Sequence, residues 1–370
     1  MSTIKVNSIK NTSTDDGGIA IDNSGHVQID GQQLPTAGAL SNRNLVINGG
    51  FDVAQRSASR VKGNSYNALD RWATGQFQDA GHEQVSVSDS TVPTVKGIRV
   101  TSSSTSEAAS GTRMALGQMI ESVNCVHLAG KKVTLSFYIR FSSATFTSFG
   151  DFQYYLNEFD TTADQNFGTT GATRSNGTTL TNGSLPTTWT KYTKTITCGS
   201  AMKNLASRFL FNDLANTTNN SDLWYEVSAV QVEEGEKATP FEHRGFGDEL
   251  ARCQRYCHKY GGDASSSSQY SRFPVGVNTG TTQHTVGLPH PVSMRTCTKA
   301  ISTSVAGVQI YSPGGNIDNS SPTFSINGDA QSFDVGYILI SGFSGLTNDI
   351  VAAARVNNDS DFYIIFDAEL

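Results

Sequence analysis

Phe246-Gly247-Asp248-Glu249-Leu250-Ala251-Arg252-Cys253-Gln254-Arg255-Tyr256-Cys257-His258-Lys259-Tyr260 is the one stretch of this 370-residue chain with a sustained helical pattern. Phe246, Leu250, Cys253, Cys257 and Tyr260 recur at intervals of four and three, which predicts an apolar seam along a helix wound in heptads. Asp248 and Glu249 fall in its first turn, and Arg252, Arg255 and Lys259 towards its end, each favourable for the helix dipole; Gly261-Gly262 supplies a stop. A helix of this length is marginal alone, so the seam needs cover. Two arrangements fit: a connecting helix packed on its own domain, or a symmetric cluster with the same helix from other copies of the chain.

Outward from this helix the chain reads as all-β. Charged residues make up only 16%, glycine is abundant at 35 residues, and Ser, Thr and Asn are frequent. Such residues cap and turn the backbone and form helices poorly, which suits short strands joined by many turns. The length suggests two or three domains. A net charge of −6 with no basic run argues against nucleic-acid binding. The five cysteines are odd in number and widely spread, so they read as free thiols. The first ten residues are polar and no run approaches a membrane span, so synthesis in a cytoplasm without membrane insertion is expected.

Residues 1–41 carry short apolar pairs, Ile4/Val6, Ile19/Ile21 and Val27/Ile29, separated by Asp/Gly/Asn turns. They predict a small β meander too poor in apolar residues to stand alone, which should dock on a partner or intertwine with its copies. Pro35 to Ser41 reads as a linker. Residues 42–244 offer many half-apolar strands, including Leu45–Ile47, Val133–Arg140, Ser207–Phe211 and Leu223–Val232. Two sheets packed face to face hide such strands, and a jelly roll is the expected arrangement. Residues 245–262 hold the connecting helix. Residues 263–370, from the serine tract 265–268 to the closing strand Phe362–Phe366, suit a smaller β-sandwich.

Asn44-Leu45-Val46-Ile47-Asn48-Gly49-Gly50-Phe51-Asp52 resembles the opening strand and turn of carbohydrate-binding-module-like jelly rolls, and Leu223 to Gly235 resembles their closing strand. With Asp70-Arg71-Trp72, the run Gln231 to Arg244 and Leu250 to Tyr256, the chain from 44 to 260 resembles tail-fibre and other virion appendage proteins of bacteriophages. The resemblance implies a homotrimeric fibre located in the virion. Its N-terminus would join other tail proteins, the jelly roll would form the shaft, and the C-terminal sandwich would be a tip that engages host surface polysaccharide or a protein receptor. It also implies a structural calcium ion between Asp52 and Glu226, whose hard oxygens suit that cation. A purely structural adaptor and a polysaccharide depolymerase are the competing classes.

No His-Glu-x-x-His, Gly-x-Ser-x-Gly or phosphate-cradling glycine loop is present, so no enzyme is expected. Carboxylates at Asp52, Asp70, Asp79, Glu83, Asp151, Glu158 and Asp160 are read as turn formers and solvated charges rather than a glycosidase pair. Cys253, Cys257 and His258 are read as packing residues rather than metal ligands, as are His284 and His290. Sugar recognition calls for flat rings, and the candidates are Tyr154, Tyr155, Trp189, Tyr270 and Tyr311. Trp72 and Trp224 are expected in the core.

Overall fold

The computed structural model describes residues 8–10, 18–21, 27–29, 32–33, 42–59, 61–62, 66, 69–74, 81–101, 114–146, 149–160, 164, 174–213, 223–261, 273–297, 299–305, 307–312, 315–326, 332–356 and 362–369. The chain is almost entirely β-structure and divides into two compact units, with the boundary between Arg244 and Gly245.

In the first unit, β1 (Ser8–Lys10), β2 (Gly18–Ile21), β3 (Val27–Ile29) and β4 (Gln32–Gln33) pair in sequence order as an antiparallel meander, as expected for this segment. Ile9, Ile19, Ile21 and Val27 are exposed on it. Ile4, Val6 and the 35–41 linker lie outside the described residues.

Next come β5 (Val61–Lys62), β6 (Ala73–Thr74), β7 (Gly81–Ser86), β8 (Lys96–Thr101) and β9 (Ala115–Ile120), followed by the one-turn helix α1 (Ser122–Cys125). β10 (Lys132–Phe141), β11 (Phe149–Phe159), β12 (Arg174–Leu180), β13 (Thr190–Thr197), β14 (Asn204–Asp213) and β15 (Trp224–Glu234) complete the unit. They form a six-stranded sheet, β13-β10-β15-β8-β7-β5, and a five-stranded sheet, β12-β11-β14-β9-β6. From β8 to β15 the chain passes back and forth between the sheets in the order of a jelly roll. Inward residues alternate along each long strand: Val133, Leu135, Phe137, Ile139 and Phe141 on β10 meet Phe152, Tyr154 and Leu156 on β11 and Phe209 and Phe211 on β14. Phe211 lies 4.5 Å from Phe146 and 5.1 Å from Phe152 between ring centres.

Leu45 to Ile47 is not the strand that its residues predict. Asn48 and Phe51 take left-handed φ of 59° and 60°, and the segment is a turn held by side chains. Asn48 donates from Nδ2 to the carbonyls of Val53 (2.8 Å) and Asp70 (3.0 Å), and accepts from Trp72 Nε1 on its own carbonyl at 2.9 Å. Trp72 is buried against Phe51, as expected of a core residue.

The second unit begins at the helix, which therefore opens the C-terminal domain instead of standing as a separate connector. Here α2 is Phe246–Gln254, shorter than the predicted 246–260. Cys257–Gly261 is β16, paired with the closing strand β25 (Tyr363–Asp367). The reason lies in the sequence: Cys257-His258-Lys259-Tyr260 also alternates with period two, and the pairing with β25 decides between the periods. The heptad seam therefore breaks. Cys253 and Cys257 are buried within their own unit, Leu250 and Tyr260 are half-buried, and Phe246 is exposed.

The remaining strands are β17 (Gly276–Asn278), β18 (Gln283–Pro289), β19 (Ala300–Ser304), β20 (Val308–Ser312), β21 (Gly315–Asn319), β22 (Thr323–Ile326), β23 (Val335–Ser341) and β24 (Val351–Val356). A three-stranded sheet, β16-β25-β19, and a seven-stranded sheet, β21-β20-β24-β17-β18-β23-β22, enclose a core that includes Val286, Leu288, Ile338, Ile340, Ile364 and Phe366. The sheets approach so closely at Gly336 that a β-carbon there would meet the Phe366 ring at 2.2 Å.

Candidate glycan-binding face

The outer face of the six-stranded sheet is built by the same alternation that fills the core. On β10 the outward residues are Thr134, Ser136, Tyr138 and Arg140; on β15 they are Trp224, Glu226 and Ser228, then Gln231 and Glu233 after a bulge at Ala229, whose φ is +50°. Register carries the row across the strands: Arg140 and Arg99 flank Glu226 on either side, Glu83 pairs with Arg99, and Lys191 pairs with Tyr138.

Half of this face is roofed. The segment from Thr239 to Glu242 crosses it, with Thr239 donating from its backbone to Glu233 Oε1 (2.9 Å) and Glu242 from its backbone to Gln231 Oε1 (2.8 Å). Arg244 extends beyond it to the carbonyls of Val46 and Asn44. Gln231 and Glu233 are consequently buried.

The other half is open. Glu226 sits at its centre with no exposed surface; its Oε1 accepts from Arg99 Nε (2.8 Å) and Nη2 (2.6 Å), and its Oε2 accepts from Arg140 Nε at 2.5 Å. The Arg99 and Arg140 side chains are about a third exposed, at 31% and 32%. Trp224 lies between them, its ring centre 4.5 Å from the Arg99 guanidinium carbon and 5.4 Å from that of Arg140; Trp189 stands 5.1 Å from Arg140 on its far side. These are cation–π contacts that fix ring orientation. Both tryptophans are half-buried. A groove of about 250 Å³ lies between the open half and the roof, lined by Pro93, Tyr138, Lys191, Ala229, Pro240 and Phe241 among others; its Lys191 and Tyr138, paired across strands, are two residues along the chain from Trp189 and Arg140. Flat rings beside hydrogen-bonding and charged groups in a shallow groove are what a pyranose chain needs: stacking on its apolar faces and partners for its hydroxyls.

Of the predicted sugar-stacking residues, Trp189 belongs to this face. Tyr154 does not: it is buried in the core, where burial raises its phenol pKa. Tyr155 is on the outer face of the other sheet, its hydroxyl donating to Gln153 and its ring lying so close over Gly177 that a β-carbon there would meet it at 2.5 Å. Tyr311 is in the C-terminal unit under the Arg355 guanidinium at 4.6 Å. Tyr270 lies outside the described residues. Trp224 corrects the expectation of a core residue. Its neighbours along β15 are apolar, but as the first residue of the strand it takes the outward phase set by Tyr225 and Val227.

The calcium expected from the resemblance is not supported at its proposed ligands. Both oxygens of Glu226 are taken by guanidiniums, whose charge would repel a cation, while Asp52 is exposed. Among the described residues no group of three or more His, Cys, Asp or Glu side chains gathers as a metal site. The other carboxylates have structural partners. Asp70 accepts from Gln55 N at 2.6 Å, Asp151 from Asn182 N at 2.9 Å, and Glu158 from Gly199 N at 2.6 Å. Asp79 lies outside the described residues. Among the described residues no helix is long and apolar enough to cross a membrane.

No protein-family model matches the sequence, and the search of curated proteins returns no match. Among solved structures, the enzymatically active domain of bacteriophage CBA120 tailspike protein 4 is similar at a TM-score of 0.31 and 10% identity, over 52% of this chain and 21% of that one. The CBM22-1 and GH10 modules of the Clostridium thermocellum endo-1,4-beta-D-xylanase 10B, complexed with xylohexaose, match at 0.31 and 12%, over 53% of this chain and 29% of that one. This chain thus spans less than a third of either. The tripod from the baseplate of bacteriophage Tuc2009 matches at 0.26 and 12%, over 83% of this chain and 91% of that one.

Proposed function

We propose that this protein is a bacteriophage virion appendage, a tail fibre or receptor-binding fibre, that adheres to host cell-surface glycan through the open half of its six-stranded sheet. The observation that carries the adhesion is the placement of Trp189 and Trp224, the two tryptophans outside the core, on one uncovered face beside a groove. The sequence resemblance from 44 to 260 supports the virion role. In this reading the chain is made in the host cytoplasm, joins other tail proteins through its N-terminal meander and self-associates as a homotrimer. Exposed Ile9, Ile19, Ile21 and Val27 on the meander favour such association, because burying apolar area is its main driving force. Three weak sites on one trimer, and several fibres on a particle, then sum to firm attachment. The chain binds without catalysis; Asp70, Asp151 and Glu158 are engaged in structural hydrogen bonds.

A glycan array probed with the intact chain tests this reading. Binding should appear and should be lost in Trp189→Ala while the melting temperature holds. An array on which the intact chain binds nothing contradicts adhesion, and a monomeric mass by analytical ultracentrifugation contradicts the trimer.

A further inference from the structure

We propose that the open face takes an acidic glycan, one bearing carboxylate or phosphate groups, and that Arg140 is the residue that grips the anion. The inference rests on the adhesion reading and adds the charge of the ligand. Arg140 is fixed from three sides: Nε donates to the buried Glu226 at 2.5 Å, and Trp189 and Trp224 lie against it at 5.1 Å and 5.4 Å. Its other edge is open. Among the described residues, Nη1 and Nη2 of Arg140 have no acceptor, and the side chain is 32% exposed. That edge is the pair of donors with which a guanidinium takes a carboxylate or phosphate in two parallel hydrogen bonds. Holding the rest of the group in place beforehand lowers the ordering cost of such a contact.

Arg99 provides the internal comparison. It faces the same Glu226, but gives it both Nε and Nη2, and its Nη1 is 3.6 Å from Glu83. Its fork is used. Arg140 spends a single donor on Glu226 and keeps two for something outside the chain. Exposed Lys191 adds a second cation nearby, paired across strands with Tyr138, which is two residues along β10 from Arg140. The opposing charges are already engaged. Glu226 has no exposed surface, Glu83 faces Arg99, and half-buried Asp89, which feels the Arg140 charge, accepts on Oδ1 from Thr91 N at 2.9 Å and Thr91 Oγ1 at 2.7 Å. Sugar hydroxyls alone would leave a charged fork with weak neutral partners, whereas an anionic substituent completes it.

The test is a panel of purified bacterial capsular, O-antigen and teichoic-type polysaccharides, acidic and neutral, with each acidic one carboxyl-reduced or dephosphorylated as its own control. The intact chain should bind acidic members, and removal of the anionic group should cut affinity about tenfold or more. Which removal does so separates carboxylate from phosphate. Arg140→Gln should erase the difference between a polymer and its neutralised control, and Arg140→Lys should restore only part of it, since an ammonium cannot fork. Lys191→Gln, at an exposed position remote from Glu226, should reduce the difference severalfold with an unchanged melting temperature. Equal binding of acidic polymers and their neutralised controls, or an Arg140→Gln chain that melts normally and keeps the preference, overturns the acidic ligand and leaves adhesion standing. Failure to bind any member, acidic or neutral, overturns both.

Discussion

The Nδ1 atoms of His258 and His290 lie 3.0 Å apart inside the C-terminal unit, with their rings crossed at 84°. One imidazole must donate and the other accept, so the contact exists only while at least one ring is neutral. Burial lowers the pKa of His258 to about 4 and, with help from His258 and Lys299 against Asp334, that of His290 to about 3. The unfolded chain takes these protons near pH 6.5, the folded one only far below it. Stability is therefore fully present above about pH 6.5 and is lost as pH falls towards 4. His284, lowered to about 4, acts in the same direction. Hydrogen exchange of 257–261 and 363–367, corrected for intrinsic rate, should show protection falling through that window. His258→Leu should flatten the slope, and an unchanged slope would count against the pair. Tryptophan emission cannot report this, because the three tryptophans, at 72, 189 and 224, all precede Gly245.

Glu226 balances two guanidiniums. Changing it to Gln leaves Arg99 and Arg140 side by side without their carboxylate, and removing one partner of a fully buried pair costs about 3–5 kcal/mol. Both arginine side chains are about a third exposed to screening water, so we expect about 1–3 kcal/mol here. Urea unfolding followed by tryptophan emission measures the loss. A change below about 0.5 kcal/mol, the level of an ordinary surface substitution, would contradict the account.

Phe211 stands at the centre of the jelly-roll aromatic cluster, fully buried and in contact with Phe146, Phe149, Phe152 and Tyr225. Phe211→Ala should cost about 3–5 kcal/mol, transfer and cavity terms together. The urea midpoint of the first unit would shift accordingly, and hydrogen exchange within 245–369 would report whether the second unit responds.

Thiol labelling of the native chain should find one accessible cysteine. Cys297 is half-buried, whereas Cys125, Cys198, Cys253 and Cys257 are buried, and burial pushes the Cys125 and Cys198 thiols up to about 12. A thiol must ionise and be reached to react. Rapid modification of Cys253 or Cys257 would mean that the second unit opens readily.

Much of the fold was legible because alternation is a local signal. The period-two pattern of Val133–Arg140 and Leu223–Val232 predicts long half-buried strands; both strands are there, but β15 is buried on both faces and β10 on most of both. Pattern failed where a capping side chain or a distant strand decides the backbone. Asn48 and Asn44 turn an apolar triplet into a loop, and β25 draws Cys257–Gly261 into a sheet although its spacing also fits a helix. The proposed binding face was harder to see. Trp189 is a candidate from the sequence, but Trp224 and Glu226 on β15 meet Arg99 on β8 and Arg140 on β10 only through register. The alternation of Trp224-Tyr225-Glu226-Val227 was the available signal, since Glu226 cannot face the core and Trp224 shares its phase.

The most direct measurement is tryptophan emission during titration of the intact chain with the polysaccharide that it binds on the panel. Trp189 and Trp224 lie on the proposed face and Trp72 is enclosed in the core. The account predicts a saturable change in emission that is lost in the Trp189→Phe/Trp224→Phe double variant, together with weakened binding in that variant. Binding that leaves the emission unchanged, or a double variant that binds as tightly as the native chain, would place recognition elsewhere and contradict it.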